Sequence, residues 1–407
     1  MHLCGGWRFA EVRAKRISAL AVLALSSGTC VAGPTAWERL QIHGFASQAV
    51  VQTSDNRYFG DSPNTSFDFT ELGLNASFQL SNEIVLSGQL LSRRAGEMYD
   101  GTPSIDYALV DLRLSSALDR RAGLRLGRIK NPLGLYNETR DVPFTRPSIF
   151  LPQTVYFDKI RNVLLSSDGV MLYAESFQDW GNLSLTLGIG ESVIDENVEW
   201  TLLGSDYPGE LDSGQANKVA SLWYYTPDER LKVGISGLKS SLRFKPGAFS
   251  FLDSGDIDVL YWIGSLQYNT EDLTVSAEYA RIPIDWNNLG PYFPYDQAES
   301  EGYYFQGAYR VAPNVELMLR YEEGFADRND RSGVRSSALT GGTTPPFDFY
   351  SRAWTAGLRW DILPNVMLRL EYQRQQGTYA LSFRENPDAG GLVEDWDAFA
   401  ASISVRF

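Results

Sequence analysis

The sequence predicts an all-β fold: a transmembrane antiparallel β-barrel of 16 strands, with its third external loop folded into the lumen. Three observations predict it. Apolar and polar residues alternate with period two along most of the chain. The connections between these segments are alternately short and long, as in outer-membrane barrels. No stretch approaches twenty apolar residues, so a closed barrel is the remaining way to span lipid.

Residues 1–32 read as a secretory signal peptide, with 33–407 as the barrel. Arg8, Arg13, Lys15 and Arg16 make a basic start, Ile17 to Ser27 a short apolar run, and Cys30-Val-Ala32 a small-x-small cleavage site. Both cysteines, Cys4 and Cys30, fall in this leader, so the mature chain is expected to use neither disulfides nor cysteine catalysis. Beyond the leader, 32 basic side chains face 49 acidic ones, a balance of about −17 that argues against nucleic acid as a partner.

Sixteen alternating segments follow. They lie near 39–53, 67–80, 84–94, 105–116, 122–130, 168–177, 182–190 and 217–226. The second half adds 231–239, 257–269, 272–281, 301–311, 314–324, 350–361, 365–375 and 395–407. In 365–375, Val366, Leu368, Leu370 and Tyr372 share one face, while Met367, Arg369 and Glu371 share the other. Residues 314–324 repeat the scheme, with Leu317 and Leu319 opposite Glu316 and Arg320. Apolar rows ending in Tyr suit an aromatic belt at the lipid headgroups. A soluble sandwich or propeller would also alternate. It would not explain why apolar rows oppose charged rows, or why short and long connections take turns.

The last strand places Phe399, Ala401, Ile403, Val405 and Phe407 on one face. A soluble protein would leave that edge open to aggregation. It resembles the terminal signal by which barrels are recognised for membrane assembly, so the barrel-assembly machinery is an expected partner through the Phe407 strand.

The long connection at 131–167 is the candidate constriction loop. It carries Pro132, Pro143, Pro147 and Pro152, none of which can donate to a sheet ladder, and a mixture of Arg140, Arg146, Lys159 and Arg161 with Glu138, Asp141 and Asp158. Long loops without structure of their own are uncommon and usually functional. The run that enters it, Gly127-Arg-Ile-Lys130-Asn-Pro132-Leu-Gly134-Leu135, resembles the motif that opens the constriction loop of the phosphate-selective porin family. The resemblance implies a trimeric outer-membrane porin of a Gram-negative bacterium, passing small solutes or ions, often anions. By motif it carries over to Gly127, Arg128, Lys130, Pro132 and Gly134. The family's phosphate-binding members rely on several lumenal lysines. Here the mature chain has six, at Lys130, Lys159, Lys218, Lys232, Lys239 and Lys245, and the resemblance does not carry phosphate selectivity with it.

Facing then follows from alternation. Expected at the pore wall are Arg113, Arg125, Arg128, Lys130, Glu316, Arg320, Arg359, Arg369 and Glu371, with Arg140, Arg146 and Arg161 from the loop. Charged walls tune ion selectivity, and the arginine excess predicts a weak anion preference. The competing reading of each arginine is a brace, paired to a neighbouring carboxylate. The aromatic run from Trp286 to Tyr295 is expected to pack the mouth.

No catalytic residue, cofactor or metal is expected. Past the leader the sole histidine is His43, and the chain has no Gly-x-Ser-x-Gly elbow, HExxH motif or glycine-rich phosphate loop. Two classes stay open: a water-filled diffusion channel, and a surface barrel whose loops bind a partner with little conduction.

Overall fold

In the computed structural model, residues 39–407 are described; the expected leader lies outside them. The chain forms β1 (Leu40–Thr53), β2 (Ser66–Gln79), β3 (Ile84–Ala95) and a two-residue stub, β4 (Tyr99–Asp100). Then come β5 (Ser104–Ser116), β6 (Arg120–Lys130), β7 (Ser166–Gln178), β8 (Gly181–Ser192) and β9 (Gly209–Tyr225). The far side is β10 (Leu231–Pro246), β11 (Gly255–Asn269), β12 (Leu273–Asn287) and β13 (Gln297–Ala312). It ends with β14 (Val315–Phe325), β15 (Tyr350–Leu363), β16 (Val366–Gly377) and β17 (Asp395–Arg406).

Every neighbouring pair is antiparallel, β3 pairing with β5 past the stub. The sheet closes through β1 and β17, in register from Phe45↔Arg406 to Thr53↔Ala398. Reciprocal backbone bonds between Gly44 and Phe407 carry the seam to the last residue. A closed, sixteen-stranded sheet has no edge left to pair with another chain. All sixteen expected segments are present. The strands β9, β10 and β12 run well past the alternating stretches toward the long connections. On β9, register shifts opposite Lys239/Ser241 and Ser241/Leu242 of β10 break the period-two pattern, so alternation there stops before the ladder does.

The two faces of the wall are inverted relative to a soluble protein. On β14, Leu317 and Leu319 are 45% and 55% exposed, while Met318 and Arg320, which alternate with them, are 5% and 1% exposed. Leu370, Tyr372, Phe399 and Ile403 continue the exposed apolar surface around the barrel. Only lipid makes such a surface favourable. Among the described residues no helix is long and apolar enough to cross a membrane. The buried apolar groups form two clusters, and 131–165 supplies residues to both: Leu151, Val155 and Phe157 to one, Ile149 and Phe150 to the other.

Three short helices sit in the connections: α1 (Arg161–Leu165), α2 (Glu196–Leu203) and α3 (Val334–Leu339). The Asp195 carboxylate caps α2 by accepting the Val198 N–H, and Gly204 closes it in the left-handed region at φ 76°. Alternation cannot report such elements.

The first and last long connections are clamped together. Glu385, 1% exposed, accepts the N–H groups of Phe59 at 2.9 Å and Gly60 at 2.7 Å. Burial pushes its carboxyl up to about 7. A carboxyl raised above its unfolded value gives stability that is full below about pH 4.5 and is lost as pH rises through 7. The clamp is therefore expected to loosen between pH 5 and 8, by up to about 3 kcal/mol. Hydrogen exchange at Phe59 and Gly60, corrected for intrinsic rates, should accelerate over that range, and Glu385→Gln should flatten the dependence. Equal pH slopes in the two proteins would refute it.

Candidate functional site

Residues 131–165 leave the wall at the end of β6 and return to it at β7. Three residues before β6 ends, Gly127 sits at φ 121°, and a Cβ there would lie 2.3 Å from the Ala108 carbonyl oxygen of β5, so only glycine fits. Asn131 then ties the two ends together: its N–H donates to the Leu165 carbonyl at 2.9 Å, and its side-chain amide to the Leu164 carbonyl at 3.0 Å.

Four glutamates on four strands hold the segment. Glu278 of β12 accepts the Leu135 N–H at 2.8 Å and the Tyr156 hydroxyl at 2.5 Å, together with the hydroxyls of Ser265 and Tyr304. Glu322 of β14 accepts the Gln153 N–H at 2.9 Å. Glu371 of β16 accepts the Ile149 N–H at 2.6 Å, and Glu71 of β2 pairs with Arg146. The segment has no ladder of its own, so these carboxylates stand in for sheet acceptors. In its second half, Thr154 packs so tightly on β13 that a Cβ on Gly302 would lie on its carbonyl oxygen.

Ion pairs stiffen the segment from within. Lys130 Nζ reaches Asp106 at 2.7 Å and Asp141 at 2.5 Å, and Arg161 takes the other oxygen of Asp141. Burial would raise the Asp141 carboxyl, but Arg161, Lys130 and Arg140 outweigh it and hold it well below the usual carboxylate range. Asp158 receives Arg93 of β3 at 3.0 Å and Arg140 at 3.3 Å. Arg93 also lies over the rings of Phe69 and Tyr99, at 5.3 and 5.0 Å. Arg320 meets Glu322 at 2.7 Å and donates to Ser148 Oγ at 3.1 Å and the Phe150 carbonyl at 3.2 Å. Arg369 donates to the carbonyls of Pro143 and Ser148.

The residues expected at the wall thus separate into three groups. Lys130, Arg140, Arg146, Arg161, Arg320, Arg369 and Glu371 are buried and brace the segment. Arg113, Arg125, Glu316 and Arg359 sit on the inner face nearer the short turns. Arg125 pairs with Asp111 at 3.3 Å and Arg359 with Asp361 at 3.1 Å, while Arg113 donates to the Asn82 carbonyl. Arg128 stands apart. It falls in phase with the outward Leu124 and Leu126, and its hydrogen bonds go to Asp168 and the Ile105 carbonyl, not to 131–165. Alternation alone would have placed it there; the motif suggested otherwise. Glu71, Arg93, Asp106 and Glu278 are not among the residues expected from sequence. The signal for Glu71 and Glu278 was available: each is a lone acid in the inward phase of an apolar strand.

One end of the site is wetter. Glu138 and Thr139 are exposed, although Asn137 and Arg140 on either side are buried. On the inner face toward the short turns lie Arg113, Arg121, Arg125, Lys232, Arg310, Arg359 and Arg406. The acids there are fewer: Asp111, Glu175, Glu316 and Asp361 on the wall, and Glu138 on the segment.

No family model matches the sequence, and no curated protein does. Solved structures do match. An anion-selective porin from Comamonas acidovorans superposes with a TM-score of 0.54 at 12% identity, over 90% of this chain and 99% of that one. The fold is that of an outer-membrane porin. The outer-membrane channel DcaP of Acinetobacter baumannii matches with a TM-score of 0.56 at 12% identity, over 90% and 97% of the two chains. OprB of Pseudomonas putida gives 0.56 at 11%, over 91% and 95%. At such identities the porin likeness is one of architecture, and the residues of the site are this chain's own.

Proposed function

We propose that this porin-fold barrel is a passive diffusion channel for small hydrophilic solutes or ions, in which 131–165 folds into the lumen and narrows it. The observation that carries this reading is the attachment of one segment to inward-phase glutamates on β2, β12, β14 and β16. Strands so far apart around a closed wall are reached together only across its interior. The exposed Glu138 and Thr139 support a water-filled space beneath the segment. No catalytic role is assigned to it.

The excess of arginine and lysine on the inner face toward the short turns supports a weak anion preference, since fixed charge on a pore wall enriches its counter-ion. Homotrimerisation finds support in an uneven aromatic girdle. Trp180 at the β7–β8 turn is the one large exposed Tyr or Trp among the described residues from β1 to β8, whereas Tyr268, Tyr309, Trp354, Trp360 and Tyr372 mark β11 to β16. Gln48 and Thr70 hydrogen-bond at 2.7 Å on the outward face of β1 and β2, a polar pair better suited to a neighbouring subunit than to lipid tails. One of the similar structures, OmpT of Vibrio cholerae, is described in a trimer form.

Planar-bilayer recording tests the reading. Ohmic steps in KCl are expected, with a reversal potential in a salt gradient displaced toward the anion side. A barrel that binds partners through its loops and conducts little would give no steps. A strongly cation-selective potential would refute the charge argument.

A further inference from the structure

A cavity of about 180 Å³ lies where residues 157–164 face β10 to β13 and the outer connections at 201–204, 326–349 and 379–383. Its wall is largely hydrocarbon and aromatic, with Ile282, Ile284 and Trp286 of β12 beside Tyr295, Tyr379 and Phe383. That wall is fixed in advance. The Trp286 indole N–H donates to the Leu202 carbonyl at 2.8 Å, and the Tyr295 ring packs 5.8 Å from the indole.

One cation is set into this apolar surface. Lys159 is 4% exposed, and among the described residues its ammonium makes one hydrogen bond, to the Tyr379 carbonyl. Its ammonium lies 4.2 Å from the Tyr379 ring and 5.6 Å from those of Phe157 and Phe383. An ammonium has three donors, and two of these have no acceptor in the described structure. Burial lowers its pKa to about 8, an effect that Asp348 opposes. Asp348 is itself engaged by the Thr378 hydroxyl at 2.7 Å, and at the rim Arg335 and Asp327 pair at 3.6 Å. The unmet demand in the cavity is therefore for a negative oxygen at Lys159.

An oily, ring-lined space with one under-coordinated cation suits a solute that is apolar at one end and anionic at the other. We infer that the cavity captures single-ring aromatic carboxylates, with the ring between Ile282, Ile284 and Trp286 and the carboxylate on Lys159 Nζ. The size fits, since an apolar cavity of about 150 Å³ accepts benzene. A fully hydrated inorganic anion would meet one ammonium and a wall unable to replace its water. The inference deepens the channel reading and rests on it: the site would concentrate such solutes at the external mouth.

Benzoate is the probe, with acetate as control, in calorimetric titration of the folded protein in micelles alongside KCl conductance. Saturable binding of benzoate and none of acetate is expected. Lys159→Gln should weaken benzoate binding about tenfold or more, as loss of a charge-assisted hydrogen bond implies. Ile284→Trp, which fills the cavity and leaves Lys159 in place, should weaken it as strongly. Equal binding of the two anions, or benzoate binding unchanged in both variants, overturns the inference. KCl steps without benzoate binding would remove the capture site and keep the channel; binding without steps would do the reverse.

Discussion

Glu278→Ala is expected to destabilise the barrel by about 3–5 kcal/mol and to turn a quiet open-channel current into a noisy one. The carboxylate is 3% exposed and accepts four hydrogen bonds: the Leu135 N–H and the hydroxyls of Tyr156, Tyr304 and Ser265. Alanine leaves those donors buried with nothing to accept them, and each orphaned polar group costs about 1–3 kcal/mol. Two of them, Leu135 and Tyr156, belong to 131–165. The loss therefore falls on the docking of that segment as well as on the wall. At about 3 kcal/mol the ratio of docked to undocked segment falls more than a hundredfold. Glu278→Gln gives a sharper comparison. Its amide oxygen can still accept from Leu135 and Ser265, and the tyrosine hydroxyls can turn to accept from its NH₂. Its cost should stay near 1 kcal/mol. Urea unfolding in micelles, with current noise recorded on the same proteins, checks both; indistinguishable Ala and Gln variants would show that Glu278 is not a tether.

Why the barrel could be read from the chain and its stitching could not is itself physical. A strand with lipid on one side repeats every two residues, so Leu317, Leu319, Leu368 and Leu370 announce their face at once. The terminal Phe399-to-Phe407 row needs no partner to be recognised. Nor does the proline-broken run after Lys130, which cannot continue a ladder. Pairing is another matter. Arg146 and Glu71 are 75 residues apart, and Glu371 is 222 residues from Ile149. No local pattern distinguishes an arginine that contacts solute from one that braces a loop, and the structure shows Arg140, Arg146 and Arg161 in bracing contacts. Arg128 shows the opposite hazard. The phase of Leu124 and Leu126 put it outside, and a motif resembling that of the phosphate-selective porin family put it inside.

Arg320→Met is expected to cost a further about 3–5 kcal/mol, and its partners should rescue it. The guanidinium is 1% exposed, 2.7 Å from Glu322 and 3.9 Å from Glu371, and it also holds the Ser148 hydroxyl and the Phe150 carbonyl. Methionine nearly matches its volume, so little of the loss comes from a void. What remains is two buried carboxylates that have lost the cation they share. Removing one member of a buried ion pair costs more than removing both. Arg320→Met combined with Glu322→Gln should therefore recover at least about 1 kcal/mol relative to the sum of the single changes. The same double variant keeps the Gln153 N–H supplied with an acceptor, so the segment should stay docked and the current quiet. Additive losses in urea unfolding would mean that Arg320 acts by packing alone, and the charged anchors through which β14 and β16 hydrogen-bond 131–165 would then be incidental to its position.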